Sequence, residues 1–336
     1  MACDLAVLPR AEIGVRRGLL HATGVVFVLV TLASFGILLS RTLEMNGGAW
    51  ASVWSAMGLV LHVTHYGHIW VWRVPALVLL WLAWGWARRH PEHAWAGWLM
   101  AIALAAIVLT RSDTGHPADH GDFKLAVWVD WAHMLAAGAW VGSLFGMTLV
   151  VFPKLRAHGD PLRASAAIFQ RLSTLSGAAL AVVLAAGIYN ALGQLGSFAA
   201  LWTSRYGTTL DVKVAIVLAM IAIGAHNRYI KLPKLLRLAG AAPPGAATGP
   251  GRTASENQPA ARHAVVRSCA RAVLLESVLG LLVIGAAANL IHSMPPADAP
   301  MQMMQADSRV PNAQAGMPDP VAHGDHGCVR VGSGCG

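Results

Sequence analysis

Charge is what this chain has least of. Asp, Glu, Lys and Arg make up 12% of its 336 residues, where a soluble domain carries about a quarter. With 56% hydrophobic residues and a mean hydropathy of +0.53, that shortage excludes a soluble globular protein. Catalytic triads, phosphate-binding loops and ATPase motifs are also missing, so no enzyme is expected and any transport must draw on gradients or partners. The first apolar stretch lacks a clear Ala-x-Ala cleavage site, which favours an uncleaved anchor over a signal peptide.

Apolar sequence fills the space that charge leaves, in blocks of roughly the 20 residues that cross a bilayer. Seven spans are expected, at about 19–39, 68–87, 94–111, 125–151, 172–192, 208–227 and 272–291. Ala, Leu and Val dominate them, and backbone groups in lipid must be satisfied internally, so they read as helices rather than barrel strands. Thirteen Trp suit a protein with two water–lipid interfaces. The fold class is all-α: a polytopic helical membrane protein of about seven transmembrane helices.

Lys and Arg set the expected orientation. Arg10, Arg16 and Arg17 precede the first span, Arg88 and Arg89 follow the second, and Lys154, Arg156 and Arg163 follow the fourth. Eight more, from Arg228 to Arg271, lie between the sixth and seventh. All share one side if the N-terminus is cytoplasmic and the C-terminus periplasmic. The net charge of +9 is then topogenic, and nucleic acid is not an expected partner. Residues 50–62 are too short for a span and read as re-entrant or surface-lying; residues 197–202 are their counterpart.

That counterpart belongs to an internal repeat. Thr64-His65-Tyr66-Gly67 stands five residues before Arg73-Val74, and Ser204-Arg205-Tyr206-Gly207 stands five before Lys213-Val214, each leading into an apolar segment. Repeated units in membrane transporters commonly frame the transport site. The expected organisation is a cytoplasmic N-tail (1–18), a membrane domain (19–292) and a disordered periplasmic tail (293–336). The membrane domain divides into repeat halves at about 19–111 and 125–292, with a flexible cytoplasmic loop at 239–262.

Candidate chemistry falls in four places. In the fourth span Asp130, His133 and Met134 share a helix face, continued by Trp140 and Met147. Two readings stand: hydrogen bonding near the outer interface, or metal or proton handling, which intramembrane ionisable groups often serve. The preceding outward loop carries Asp113, His116, Asp119, His120 and Asp122, either a solvated acidic loop or a cation-gathering one. His62, His65 and His68 repeat every third residue and would line one helix face, as ligands or as structural groups. The tail offers Met294, Met301, Met303, Met304 and Met317, then His323, His326, Cys328 and Cys335. Thioethers favour Cu(I) and imidazoles also suit Cu(II), whereas Mg or Ca would call for carboxylates. Glu276 in the last span raises the same two readings, metal or proton handling against simple snorkelling near the cytoplasmic end, and Asn190 and Asn289 read as helix-to-helix bonds.

Asp130-Trp-Ala-His133 followed by Trp140-Val-Gly142 resembles the D-x-x-H…W-x-G signature of the CopD (PcoD) copper resistance family of bacterial inner-membrane proteins. Thr114-Gly115-His116, Gly187-Ile-Tyr-Asn190, Leu201-Trp202-Thr203 through Tyr206-Gly207 to Lys213, His226-Asn227-Arg228, and Arg271 to Glu276 with Leu279-Gly280 are similar to further family motifs in order and spacing. The resemblance covers roughly 20–295. It implies copper transport and homeostasis: movement of Cu(I) or Cu(II) across the inner membrane, generally inward, often beside a CopC-like periplasmic carrier. The family usually has eight spans. The span preceding the first repeat is not found here, which removes any ligand it would supply.

The expected path gathers copper at the tail and at residues 113–122, with His116 and His120, and passes it to His133 and Met134. Asp130 orients the imidazole, and the metal leaves toward the basic face. Tyr66, Gly67, Arg73, Trp140, Gly142, Tyr206, Gly207, Lys213, Asn227 and Glu276 complete the motif positions. Two other classes stay open: a haem b electron-transfer protein using the span-borne His, or a copper-binding sensor or assembly factor that transports nothing.

Overall fold

A computed structural model describes residues 13–115, 124–157, 162–195, 199–240 and 258–291. The described chain is helical. In order it comprises α1 (Ile13–Met45), α2 (Val53–Val63), α3 (His65–Val71), α4 (Arg73–Arg89), α5 (Trp95–Ser112), α6 (Leu125–Gly146) and α7 (Phe152–Ala157). It continues with α8 (Leu162–Leu195), α9 (Ala200–Thr203), α10 (Arg205–His226), α11 (Leu232–Gly240) and α12 (Gln258–Ile291).

Seven helices are long and apolar enough to cross a membrane, and they are the seven expected: Gly14–Met45, His65–Arg89, Trp95–Ser112, Leu125–Lys154, Ala166–Leu195, Arg205–Arg237 and Ala264–Leu290. Most run a few residues beyond their sequence-based limits, because amphipathic ends continue a helix past its apolar stretch, while Trp95–Ser112 keeps its expected length. The protein is a multi-pass membrane protein. Residues 50–62 form a 3₁₀ turn and the short helix α2, not a span.

Proline explains the interruptions. The span His65–Arg89 is interrupted around Trp72: its N–H bonds Ile69 O, three residues back, and Pro75 has no N–H to give to the Val71 carbonyl. Wide π turns at Met147–Val151 and Asn227–Lys231 each lie two residues before a proline, Pro153 and Pro233. A proline ring cannot approach the carbonyl four residues back, and widening the turn relieves that conflict.

Burial separates the helices by role. Half of the apolar window of α6 is buried, against 11–33% for the other spans, so α6 is the central helix. Around it Trp140, Leu144 and Met147 pack with Ile168 and Leu172 of α8, Met220 of α10 and Val273 of α12. A second core joins Leu20 and Phe27 of α1 to Leu77 and Leu80 of α4 and Met100 of α5. Outward-facing Val25, Leu29, Leu32, Leu82, Leu218 and Leu281 stay exposed, as lipid contact requires. Exposed Trp50, Trp54, Trp72 and Trp202 gather at one end and Trp86, Trp95 and Trp98 toward the other, which makes two interfacial belts.

The repeat recurs as geometry. Thr64 (φ −91°, ψ 146°) separates α2 from α3, and Ser204 (φ −107°, ψ 150°) separates α9 from α10. Thr64 Oγ1 accepts from Gly67 N at 3.0 Å, and Ser204 Oγ accepts from Gly207 N at 2.9 Å. Each hydroxyl also donates 2.6 Å to a carbonyl of the preceding helix, Val60 O or Ala200 O. A Cβ on Gly67 would strike Val60 O, and one on Gly207 would strike Ala200 O, so both glycines are needed for close backbone approach. This break overturns one expectation: His62 ends α2 while His65 and His68 lie on α3, so the three do not share one helix face. His68 Nε2 instead donates to the His62 carbonyl at 2.9 Å.

Candidate metal site and polar path

His133 sits on α6 against α8. Its Nδ1–H donates to the Val183 carbonyl at 3.1 Å. A carbonyl only accepts, so Nδ1 carries a proton, and in the neutral ring Nε2 keeps a lone pair for a metal or a proton. Gly187, one turn beyond Val183, makes room: a Cβ there would lie 3.3 Å from His133 Cε1. One turn further along α8, Asn190 Nδ2 donates to Asp130 Oδ1 at 3.3 Å. Thus the i, i+3 pair Asp130/His133 on α6 docks onto the i, i+3 pair Gly187/Asn190 on α8.

Two more helices complete this environment. Ser112 Oγ, at the end of α5, donates to Asp130 Oδ2 at 2.9 Å. Lys213 of α10, set just inside the second helix break, has its ammonium in electrostatic range of both Asp130 and His133. The expected role of Asp130 changes accordingly. The hydrogen bond that orients the imidazole comes from Val183, while Asp130 ties α5, α6 and α8 together and balances Lys213. Met134 is half-buried beside His133, and Trp140 is buried in the central core. Gly142 is exposed with open space where its Cβ would be, so nothing in the described packing demands glycine there.

The first repeat carries a different arrangement. Arg73 is buried and its Nε donates to Thr110 Oγ1 of α5 at 2.8 Å. The charged or titratable groups bearing on it are Tyr66 and Arg111, not a carboxylate such as Asp130 offers Lys213. Arg73 Nη2 and the Tyr66 hydroxyl have no hydrogen-bond partner among the described residues. In the second repeat Tyr206 is satisfied, its hydroxyl donating to Gln194 Oε1. Among the described residues the first repeat has no counterpart of the Asp130, His133 and Lys213 constellation.

A polar layer crosses the basic half of the bundle. Asn227 Nδ2 donates to Glu276 Oε1 at 2.6 Å, and Thr148 and Ser277 share a 3.1 Å hydrogen bond. Asn227 opens one π turn and Thr148 lies within the other, so both widened turns face α12 at Glu276–Ser277. Glu276 is 5% exposed, which overturns the snorkelling expectation: its carboxyl is held inside the bundle. Closer to the end, Arg228 Nη1 donates to Ser173 O at 2.8 Å and Lys231 Nζ to Ser268 O at 3.3 Å.

Of the residues expected to handle metal, the structure places Asp130 and His133 in one constellation with Met134 alongside. His116, His120, Met301, Met303, Met304, His323 and His326 lie outside the described residues. Sequence reasoning missed Ser112, Val183, Thr148 and Ser277. Ser112 adjoins the Asp113–His116 motif and could have been flagged; Val183 acts through its carbonyl, which leaves no signature. It also missed His90, Glu92 and His93, whose ligand atoms lie within 4.8 Å of one another. Their His-Pro-Glu-His spacing was a readable signal.

The family model described as copper resistance protein D matches residues 166–290. The model described as copper resistance protein D-like, N-terminal domain, matches residues 3–126. The chain is 26% identical over 204 residues to the copper transport protein CutJ of Bacillus subtilis, covering 58% of this chain and 37% of that one. It is 27% identical over 195 residues to the inner membrane protein YebZ of Escherichia coli, covering 57% of this chain and 64% of that one. The chain therefore spans less than two thirds of either relative. No solved structure matches it. Each model spans one copy of the helix break, and together they cover most of the chain: the chain belongs to the copper resistance protein D family.

Proposed function

We propose that this protein carries copper across the bacterial inner membrane, inward from the periplasm, and serves copper resistance and homeostasis. The observation that carries the reading is the fixed tautomer of His133, which keeps Nε2 available inside a central, half-buried helix. An imidazole nitrogen with a neighbouring thioether suits copper in either oxidation state. Asp130 and Lys213 balance each other's charge, so a cation arriving at His133 meets neither a bare carboxylate that would trap it nor a bare ammonium that would repel it.

The N-terminus is cytoplasmic and the C-terminus periplasmic in this reading, since Arg16, Arg88, Arg89, Arg228 and Lys231 fall at the end opposite Asp130. His116, His120 and the Met/His tail with Met301, Met303, Met304, His323 and His326 collect copper outside, possession of which a CopC-like carrier would share. From His133 the ion moves along α6 toward the layer of Thr148, Ser277, Asn227 and Glu276. The two π turns give that layer the slack to rearrange. Copper is cargo here, and no bond is made or broken in it beyond exchange of ligands.

The test is copper accumulation in cells expressing His133→Ala. At equal protein level, accumulation should fall to that of cells without the protein; unchanged accumulation removes His133 from the path.

A further inference from the structure

We propose that the turn between α4 and α5 is a second metal site, in which His90, Glu92 and His93 hold one borderline divalent ion of the Cu(II) or Zn(II) class. It lies at the end of the bundle opposite Asp130 and His133, because α5 runs from this turn to Ser112, which bonds Asp130. The proposal does not depend on the copper path described above.

Geometry is the first argument. Glu92 Oε1 stands 3.5 Å from His90 Nδ1 and 3.6 Å from His93 Nε2. Ligands about 2.0–2.2 Å from a tetrahedral ion lie roughly 3.3–3.6 Å apart, so the carboxylate oxygen already has the needed separation from both imidazoles. Only the two ring nitrogens, within 4.8 Å of each other, must close further, and side-chain rotation suffices.

The turn is also held in shape from outside itself. His93 N–H donates to His90 O at 3.2 Å, which brings the two rings to one side. Arg16 of α1 donates through Nη1 to Pro91 O and through Nη2 to His93 O at 3.2 Å, holding the backbone on either side of Glu92. Trp86 lies against the His90 ring with centroids 4.6 Å apart, and Trp95 packs on Trp86 at 5.5 Å. A preformed set of this kind loses less ordering entropy when it binds.

Charge permits a cation despite nearby arginines. Arg88 lies over the Trp84 ring at 4.8 Å, and Arg89 reaches back to Gly85 O. Two imidazoles and one carboxylate, without sulfur, suit a borderline divalent ion rather than Cu(I) or Mg. Three protein ligands leave a position open, which fits exchange better than storage.

Equilibrium dialysis of the purified full-length protein against Zn(II), a redox-inert probe, tests the site. The double variant His90→Ala/His93→Ala should bind one equivalent fewer than wild type and keep the rest. Glu92→Gln and Arg16→Gln should keep the stoichiometry but weaken that equivalent about 10-fold or more. Both single variants are conservative, so they read the site even if the double variant proves unstable. Equal stoichiometry and affinity in the double variant, or unchanged affinity in both single variants, overturns the proposal.

Discussion

His133 donates its Nδ1 proton to the carbonyl of Val183 at 3.1 Å, across the contact between α6 and α8. The bond decides which ring nitrogen is free, and free Nε2 is the group that the proposed function requires. It forms because Gly187 leaves the imidazole a seat. Filling that seat is a direct perturbation. Gly187→Val should displace His133 and reduce copper accumulation at least as far as His133→Gln does, with protein level maintained. Gly187→Ala, whose Cβ meets the ring at 3.3 Å, should give an intermediate value.

Asp130 and Lys213 form a balanced pair within the membrane. Removing one of these two charges leaves the other less compensated. Asp130→Asn should therefore lower the thermal unfolding temperature of the purified protein, although its amide oxygen still accepts from one of the two donors, Asn190 Nδ2 or Ser112 Oγ. Lys213→Met combined with Asp130→Asn should recover part of that loss. The coupling expected from the double-mutant cycle is about 1–3 kcal/mol.

The two helix breaks give a matched comparison. Thr64→Ala and Ser204→Ala each remove a cap to a glycine N–H, worth about 1 kcal/mol. Gly67→Ala and Gly207→Ala place a Cβ against a backbone carbonyl that cannot rotate away. The alanine substitutions at glycine should cost more than those at the caps, in both repeats, by thermal unfolding in detergent.

Glu276 is buried and bonded to Asn227, so isosteric and apolar replacements should separate. Glu276→Gln keeps an acceptor for Asn227 and should leave expression near wild type. Glu276→Leu leaves the amide unpaired and should cost about 1–3 kcal/mol, the desolvation penalty of a buried orphan. Thermal unfolding of the two variants side by side distinguishes them.

The spans, the short segment at 50–62 and the Tyr-Gly repeat were legible because each depends on local composition or on a motif. Asp130 and His133 were legible because helical spacing puts them on one face. Their partners were not: the Val183 carbonyl, the Gly187 seat and Ser112 become relevant only when α5, α6 and α8 pack. His62, His65 and His68 misled for the opposite reason. Spacing of three suggests one face only on an unbroken helix, and Thr64 ends α2 by turning its hydroxyl to cap α3. Glu276 was misplaced because its position near a helix end suggested solvent, whereas the π turn at Asn227–Lys231 sets an amide beside it.

Copper uptake into proteoliposomes tests the central claim most directly. Purified protein reconstituted in vesicles should take up copper down its gradient, and His133→Ala at equal reconstitution should reduce that uptake about 10-fold or more. This magnitude is the one seen when a metal's immediate environment is disrupted. Equal uptake by the two proteins, or none above empty vesicles by the wild type, would contradict the account.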